Sequence, residues 1–141
     1  MNDTPHETKK YTTFTPEEII GYLKSIRKAI LEGKYTISIN ENRQDNNDFI
    51  DMYKVDTKKE KEILLSIQHD DFCYAVDNEK PGYTHEKLYI FCKEYELDNW
   101  GTLETLEIYL KFNLMQLRRG DDYVYVVSFH KRKMPLKYLF K

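Results

Sequence analysis

The chain has 141 residues, 40% of them hydrophobic, 14% aromatic and 33% charged, with a net charge of −2. That length suits one domain able to bury roughly two-thirds of its unfolded surface, and twelve Tyr with seven Phe argue against a disordered chain. No apolar run approaches the roughly 18 residues of a membrane span, and the polar start from Met1 to Tyr11 is no secretory signal, so a cytoplasmic protein without a membrane partner is expected.

In chain order, residues 1–14 read as a disordered lead-in and residues 15–141 as a single domain. Thr15-Pro16-Glu17-Glu18 opens a helix with a capping residue, a proline at the first helical position and acids in the first turn. The helix is predicted to end near Gly33, with Ile19, Leu23, Ile26, Ile30 and Leu31 on its core side. Tyr35 to Ile39 is a short strand candidate, and Asn40 to Asn47 a polar connection. Phe49, Ile50 and Tyr53 belong to a second helix. Asp56-Thr57 caps a third over Lys58 to Ile67, whose apolar stripe is Ile63, Leu64 and Ile67.

Beyond this point the hydrophobic period changes to two. Phe72 to Val76 is a predicted strand, followed by a loop from Asp77 to Thr84 with a Pro81-Gly82 turn signal. In the next strand, Glu86 to Tyr95, Leu88, Ile90 and Cys92 alternate with Tyr89, Phe91 and Lys93, so both faces are apolar and a central place in the sheet is expected. Residues 96–104, with the sole tryptophan, Trp100, form a long connection into a hairpin over Glu107 to His130. The tail from Pro135 to Lys141 is too apolar to be idle and should dock on the fold. Helices first and antiparallel strands after indicate an α+β fold, with N-terminal helices on one face of a four- to five-stranded, mainly antiparallel sheet.

The hairpin carries the chemistry. Ile108, Leu110, Phe112 and Leu114 share one side of its first strand, Tyr109, Lys111 and Asn113 the other; Tyr123, Tyr125, Val127 and Phe129 form the bulkier row of its second. A register that joins the bulky rows in the core puts Tyr109 and Lys111 on one face with Ser128 and His130, with Val124 and Val126 beside them. From Ile108 to Lys141 eight basic residues face only Asp121 and Asp122, a net of +6 that leaves −8 for the remainder. Arg118, Arg119, Lys131, Arg132 and Lys133 therefore offer a cationic surface to a phosphate backbone, or else simply a solvated one.

No glycine-rich phosphate loop, HExxH, GxSxG or paired CxxC is present, and Cys73 and Cys92 read as buried thiols. His6, His69 and His85 carry no pattern. Asp70-Asp71 and Asp121-Asp122 lack a third ligand at a matching spacing, so no metal and no cofactor are expected. The hairpin face suits a reaction that needs neither. RNA supplies its own nucleophile, the 2′-hydroxyl, and a protein cleaving it must remove one proton, stabilise phosphoryl charge and protonate the leaving 5′-oxygen. His130 suits proton exchange near neutral pH, Lys111 the fixed charge, and Tyr109 a proton-carrying or base-stacking role. The plain alternative is a solvent face of an amphipathic strand pair.

Four stretches together resemble the MqsR-type toxins, in particular their Gram-positive branch. They are Ile63-Leu64-Leu65-Ser66-Ile67 leading into Asp70-Asp71-Phe72, Glu86 to Glu94, Ile108-Tyr109-Leu110-Lys111-Phe112, and Val126-Val127-Ser128-Phe129-His130. The resemblance runs from about Glu17 and includes Pro135-Leu136. It implies a RelE-like fold and a toxin-type messenger-RNA endonuclease acting on single-stranded RNA and silenced by a cognate antitoxin. It places the family's catalytic tyrosine at Tyr109 and its basic residue after Ser-Phe at His130, and Lys111 fits the same strand pattern. Tyr74 stands where the family has a lysine, and Ala75-Val76-Asp77 replaces a Gly-Pro-Glu-like turn; Tyr74 and Ser128 then join the RNA-binding group. The competing expectation is a non-catalytic binding protein on the same scaffold, engaging a host protein or nucleic acid.

Overall fold

The structure is a computed structural model that describes residues 9–39 and 43–141. His6, most of the expected disordered lead-in and the start of the polar connection at residue 40 lie outside the described residues. Within them the chain forms an α+β domain of three helices and one mixed six-stranded sheet. The elements in order are β1 (Lys10–Tyr11), α1 (Pro16–Leu31), β2 (Tyr35–Ile37), α2 (Gln44–Met52), α3 (Thr57–Leu65), a 3-10 turn (His69–Asp71), β3 (Phe72–Asp77), β4 (Lys87–Asn99), β5 (Thr102–Gln116) and β6 (Asp122–Lys131). Across the sheet they run β1-β3-β4-β5-β6-β2, antiparallel throughout except for β2, which lies parallel to β6.

The helix starts follow local chemistry. Glu18 N–H donates to Thr15 Oγ1 at 3.2 Å while Thr15 N–H donates to Glu18 Oε1 at 2.8 Å, a reciprocal capping box. Asp56 caps α3 through Lys59 N–H at 2.8 Å. All three helices pack on one face of the sheet, where Ile19, Leu23, Ile26, Ile30, Phe49, Ile63 and Leu64 meet Phe72, Phe91, Ile108, Leu110, Phe112, Val124, Val126 and Phe129. Tyr22 stacks on Tyr89 with ring centroids 3.9 Å apart, and Phe72 meets Phe91 edge-on at 5.3 Å, so aromatic rings fill much of this core. As its two-sided apolar pattern predicts, β4 is central.

Several expectations are corrected. The sheet has six strands, not four or five, because two short edge segments join it: β2, expected as a strand, and Lys10–Tyr11, expected to lack order. Tyr11 and Phe14 both pack against the core, which gives that segment its reason to order. Leu31 is 70% exposed, and Ala29 takes its place on the buried stripe of α1. The long connection over 96–104 does not exist: β4 and β5 run on to a two-residue turn at Trp100-Gly101. Both turn residues have positive φ, 51° and 100°, the mirror-image turn that matches strand twist; tryptophan at its first position hides the usual Asn-Gly signal.

The largest correction concerns β6. Ser128 opposes Lys111 and Val126 opposes Phe112, so Val127 is an extra residue, a β-bulge. The alternation restarts there. Phe129 keeps its predicted core place, but ahead of the bulge Val124 and Val126 face the helices, while Tyr125 and Val127 join the opposite face. The tail docks as expected: Leu139 N–H donates to Phe72 O at 3.0 Å, and Leu136 and Tyr138 pack on the helix-free face beside Cys73 and Cys92. Both cysteines are buried and free. No helix among the described residues is long and apolar enough to cross a membrane.

Candidate active site

The helix-free face of the sheet collects the predicted residues in two cross-strand rows. One row runs Tyr74, Ile90, Lys111, Ser128 across β3, β4, β5 and β6; the next runs Cys92, Tyr109, His130. The bulge is what brings this about, since it returns Ser128 and His130 to the face of Tyr109 and Lys111 after the phase change. The Tyr109 and His130 rings stack with centroids 5.3 Å apart and planes inclined by 24°, and Lys111 Nζ stands 6.0 Å from the Tyr109 ring centroid.

Burial sets the protonation of this group. It raises the Tyr109 phenol well above its ordinary value, with Tyr74 and Cys73 adding and Arg43 opposing, so the hydroxyl is a donor rather than a base at neutral pH. The Lys111 ammonium is pushed the other way, first by burial and then by the positive charge of Arg43, with Glu79 partly restoring it. Burial also raises the Tyr74 phenol, and Lys10 Nζ lies 4.7 Å from the Tyr74 ring centroid. Beside His130, Nδ1 lies 2.9 Å from Lys131 O. A carbonyl oxygen only accepts, so Nδ1 carries the proton and Nε2 is left to exchange one.

The remaining predicted residues are distributed differently. Ser128 is buried, 4% exposed. Arg118 and Arg119 sit in the turn between β5 and β6, at the opposite end of the hairpin from Tyr109, and Arg119 Nε pairs with Asp121 at 2.5 Å. Arg132 Nε pairs with Glu107 at 2.5 Å and Lys133 Nζ with Asp45 at 2.6 Å. The basic stretch 131–133 thus borders the face but is largely met by carboxylates. Lys133 holds the Asp45 carboxyl below its usual range, with a smaller contribution from His130 itself.

Sequence reasoning missed Lys10, Arg43, Glu79, Tyr125 and Tyr138, all of which belong to or border this face, and placed Asn113 on it beside Tyr109 and Lys111. Lys10 arrives on a two-residue strand, and Arg43 just ahead of α2, neither with a periodic signal. Asn113 Nδ2 donates to Glu86 Oε1 at 3.1 Å, and Tyr125 OH to Ser38 Oγ at 3.2 Å. Tyr138 packs from the tail against the cluster that holds Cys92, and a groove of about 500 Å³ opens between the tail and β3, bounded by Lys10, Tyr74, Lys137 and Tyr138. Among the described residues no three His, Cys, Asp or Glu side chains gather where a metal ion would be held. Asp71, one of the paired acids, is instead buried and receives Gln68 N–H, Lys93 Nζ and Lys141 Nζ at 2.8, 3.3 and 3.4 Å.

No protein-family model matches this chain, and no curated protein or solved structure matches it at a significant level.

Proposed function

We propose that the protein is a metal-independent endoribonuclease of toxin type, an MqsR-like relative of the RelE-like ribonucleases that cleaves single-stranded RNA in the cytoplasm and is neutralised by a cognate antitoxin. The observation that carries this reading is the grouping of an imidazole, an ammonium and a protonated phenol, Tyr109, Lys111 and His130, on one face that also offers aromatic rings. In this reading His130 Nε2 takes the proton from the 2′-hydroxyl as its oxygen attacks the adjacent phosphorus. Tyr109 and Lys111 donate to the phosphoryl oxygens as charge builds on them. Lys111, its pKa lowered by burial, is also the better placed of the two to protonate the departing 5′-oxygen. The products are a 2′,3′-cyclic phosphate and a free 5′-hydroxyl. Tyr74, with Lys10 over its ring, provides a stacking platform and a nearby cation where the family has its lysine.

Purified protein incubated with single-stranded RNA and EDTA should yield fragments ending in cyclic phosphate. Failure of the folded parent to cut, or full cutting by Tyr109→Phe and His130→Ala, overturns the reading. The competing reading, a non-catalytic binder, is favoured by the ion pairs that occupy Arg119, Arg132 and Lys133. Expression in a bacterial host separates the two: growth arrest relieved by a co-expressed neighbouring gene fits the toxin, and indifference fits the binder.

A further inference from the structure

β4 and β5 outrun their neighbours. β3 pairs with β4 only from Lys87 to Phe91, and β6 pairs with β5 only from Ile108 to Gln116, so residues 94–107 project as a two-stranded arm whose outer edges, Glu107 apart, are unpaired among the described residues. The register fixes which backbone groups are free. Asn99 pairs with Thr102 across the turn, and Glu107 O accepts from Arg132 N–H at 2.8 Å on the outer side. The N–H and C=O of Leu103 and Thr105, between these points, therefore face outward. Beside this edge lies a groove of about 690 Å³ bounded by Glu94, Glu104, Glu107, Lys131 and Arg132.

We propose that the β5 edge at Leu103 and Thr105 accepts, by strand addition, an extended lysine- or arginine-bearing segment of another protein. The arm holds Glu94, Glu96, Asp98, Glu104 and Glu107 and no lysine or arginine; among the described residues only Glu107 is in an ion pair, with Arg132. Main-chain groups supply four hydrogen bonds to any extended guest; Glu104 is already met by Tyr53 and Asn99, and the carboxylates that no cation pairs with among the described residues, Glu94, Glu96 and Asp98, select a cationic guest. The same charges oppose a second copy, which would set five acids against five. Leu103, 67% exposed, gives the guest an apolar contact on the face that also carries Glu94 and Glu107. This interaction is independent of RNA cleavage, since it uses none of Tyr109, Lys111 or His130.

The test is a titration of the isotope-labelled full chain with a ten-residue peptide alternating lysine and valine, against a control alternating glutamate and valine. The lysine peptide should bind, protect the Leu103 and Thr105 amides from exchange, and weaken at high salt. Thr105→Pro removes an N–H that no group among the described residues uses, and should weaken binding about tenfold or more without lowering the urea midpoint. Glu94→Lys with Glu96→Lys, which leaves the backbone alone, should abolish the preference for the lysine peptide. No binding of the lysine peptide, equal binding of both peptides, undiminished binding by a folded Thr105→Pro, or protection of these amides by self-association each overturns the proposal.

Discussion

Asn46, at the start of α2, holds Phe129 of β6 in place from 83 residues away: its Oδ1 accepts the Phe129 N–H at 2.8 Å. Its Nδ2 donates to Val127 O at 3.1 Å and to Ser38 O at 2.8 Å. One side chain thereby satisfies the backbone groups on either side of Ser128, where the bulge interrupts pairing and β2 has ended. Asn46 is fully buried. Asn46→Ala leaves a buried N–H and two carbonyls unpaired, and should lower stability by about 3 kcal/mol in urea unfolding. The His130 ring resonances should shift in the same variant, because the clamp sets the phase of its strand.

Lys111, as a proposed catalytic group, should fail in the chemical step. Lys111→Ala should lower kcat by about a hundredfold or more while KM changes little, since a charge aimed at the phosphoryl oxygens acts mainly in the transition state. Single-turnover cleavage with varied RNA concentration separates the two constants. Equal loss in kcat and affinity would make Lys111 a phosphate anchor instead.

Lys111 also couples stability to pH. Its pKa is lowered by burial and then by Arg43, so between that lowered value and the ordinary lysine value of about 10.4 the unfolded chain binds more protons than the folded one. Stability contributed at this position therefore rises with pH through that window. Lys111→Met should be more stable than the parent near neutral pH, with an advantage that shrinks as pH approaches about 10. Tyr109 titrates in both proteins and cancels from the difference. Urea midpoints of the pair across that range measure it, and a constant gap would contradict it.

The two thiols should be inert while the fold holds. Burial pushes the Cys73 thiol up to about 12, helped by Cys92 and Asp71. Burial raises Cys92 as well, with the Tyr138 hydroxyl opposing it. Iodoacetamide at mildly alkaline pH should label neither in the native protein and both in guanidinium. Tyr138→Ala, which uncovers Cys92, should speed its labelling about tenfold or more while Cys73 lags behind.

What the sequence made legible was local. The capping box at Thr15 and Glu18, the two-sided pattern of β4 and the apolar tail all announce themselves within a few residues. The shared face of Tyr109 and His130 followed from alternation, yet rows ahead of the bulge were reversed because Val126-Val127-Ser128 gives no glycine to mark it; the adjacent valines beside a serine were the one available sign. Arg43 and Lys10 reach the site through tertiary placement alone. The ion pairs that occupy much of the basic stretch join residues as distant as Asp45 and Lys133, beyond the reach of any count of charges along the chain.

The strand order has a mechanical meaning. Everything up to β3 supplies both flanks of the sheet, β1 and β3 on one side and β2 on the other, while β4, β5 and β6 fill the middle. The N-terminal half grips the C-terminal half like a pair of tongs. A single cut in the exposed loop at Pro81-Gly82 would therefore free neither piece: to part, they must open the β3–β4 and β2–β6 seams together, and the helices packed across the latter must lift as well.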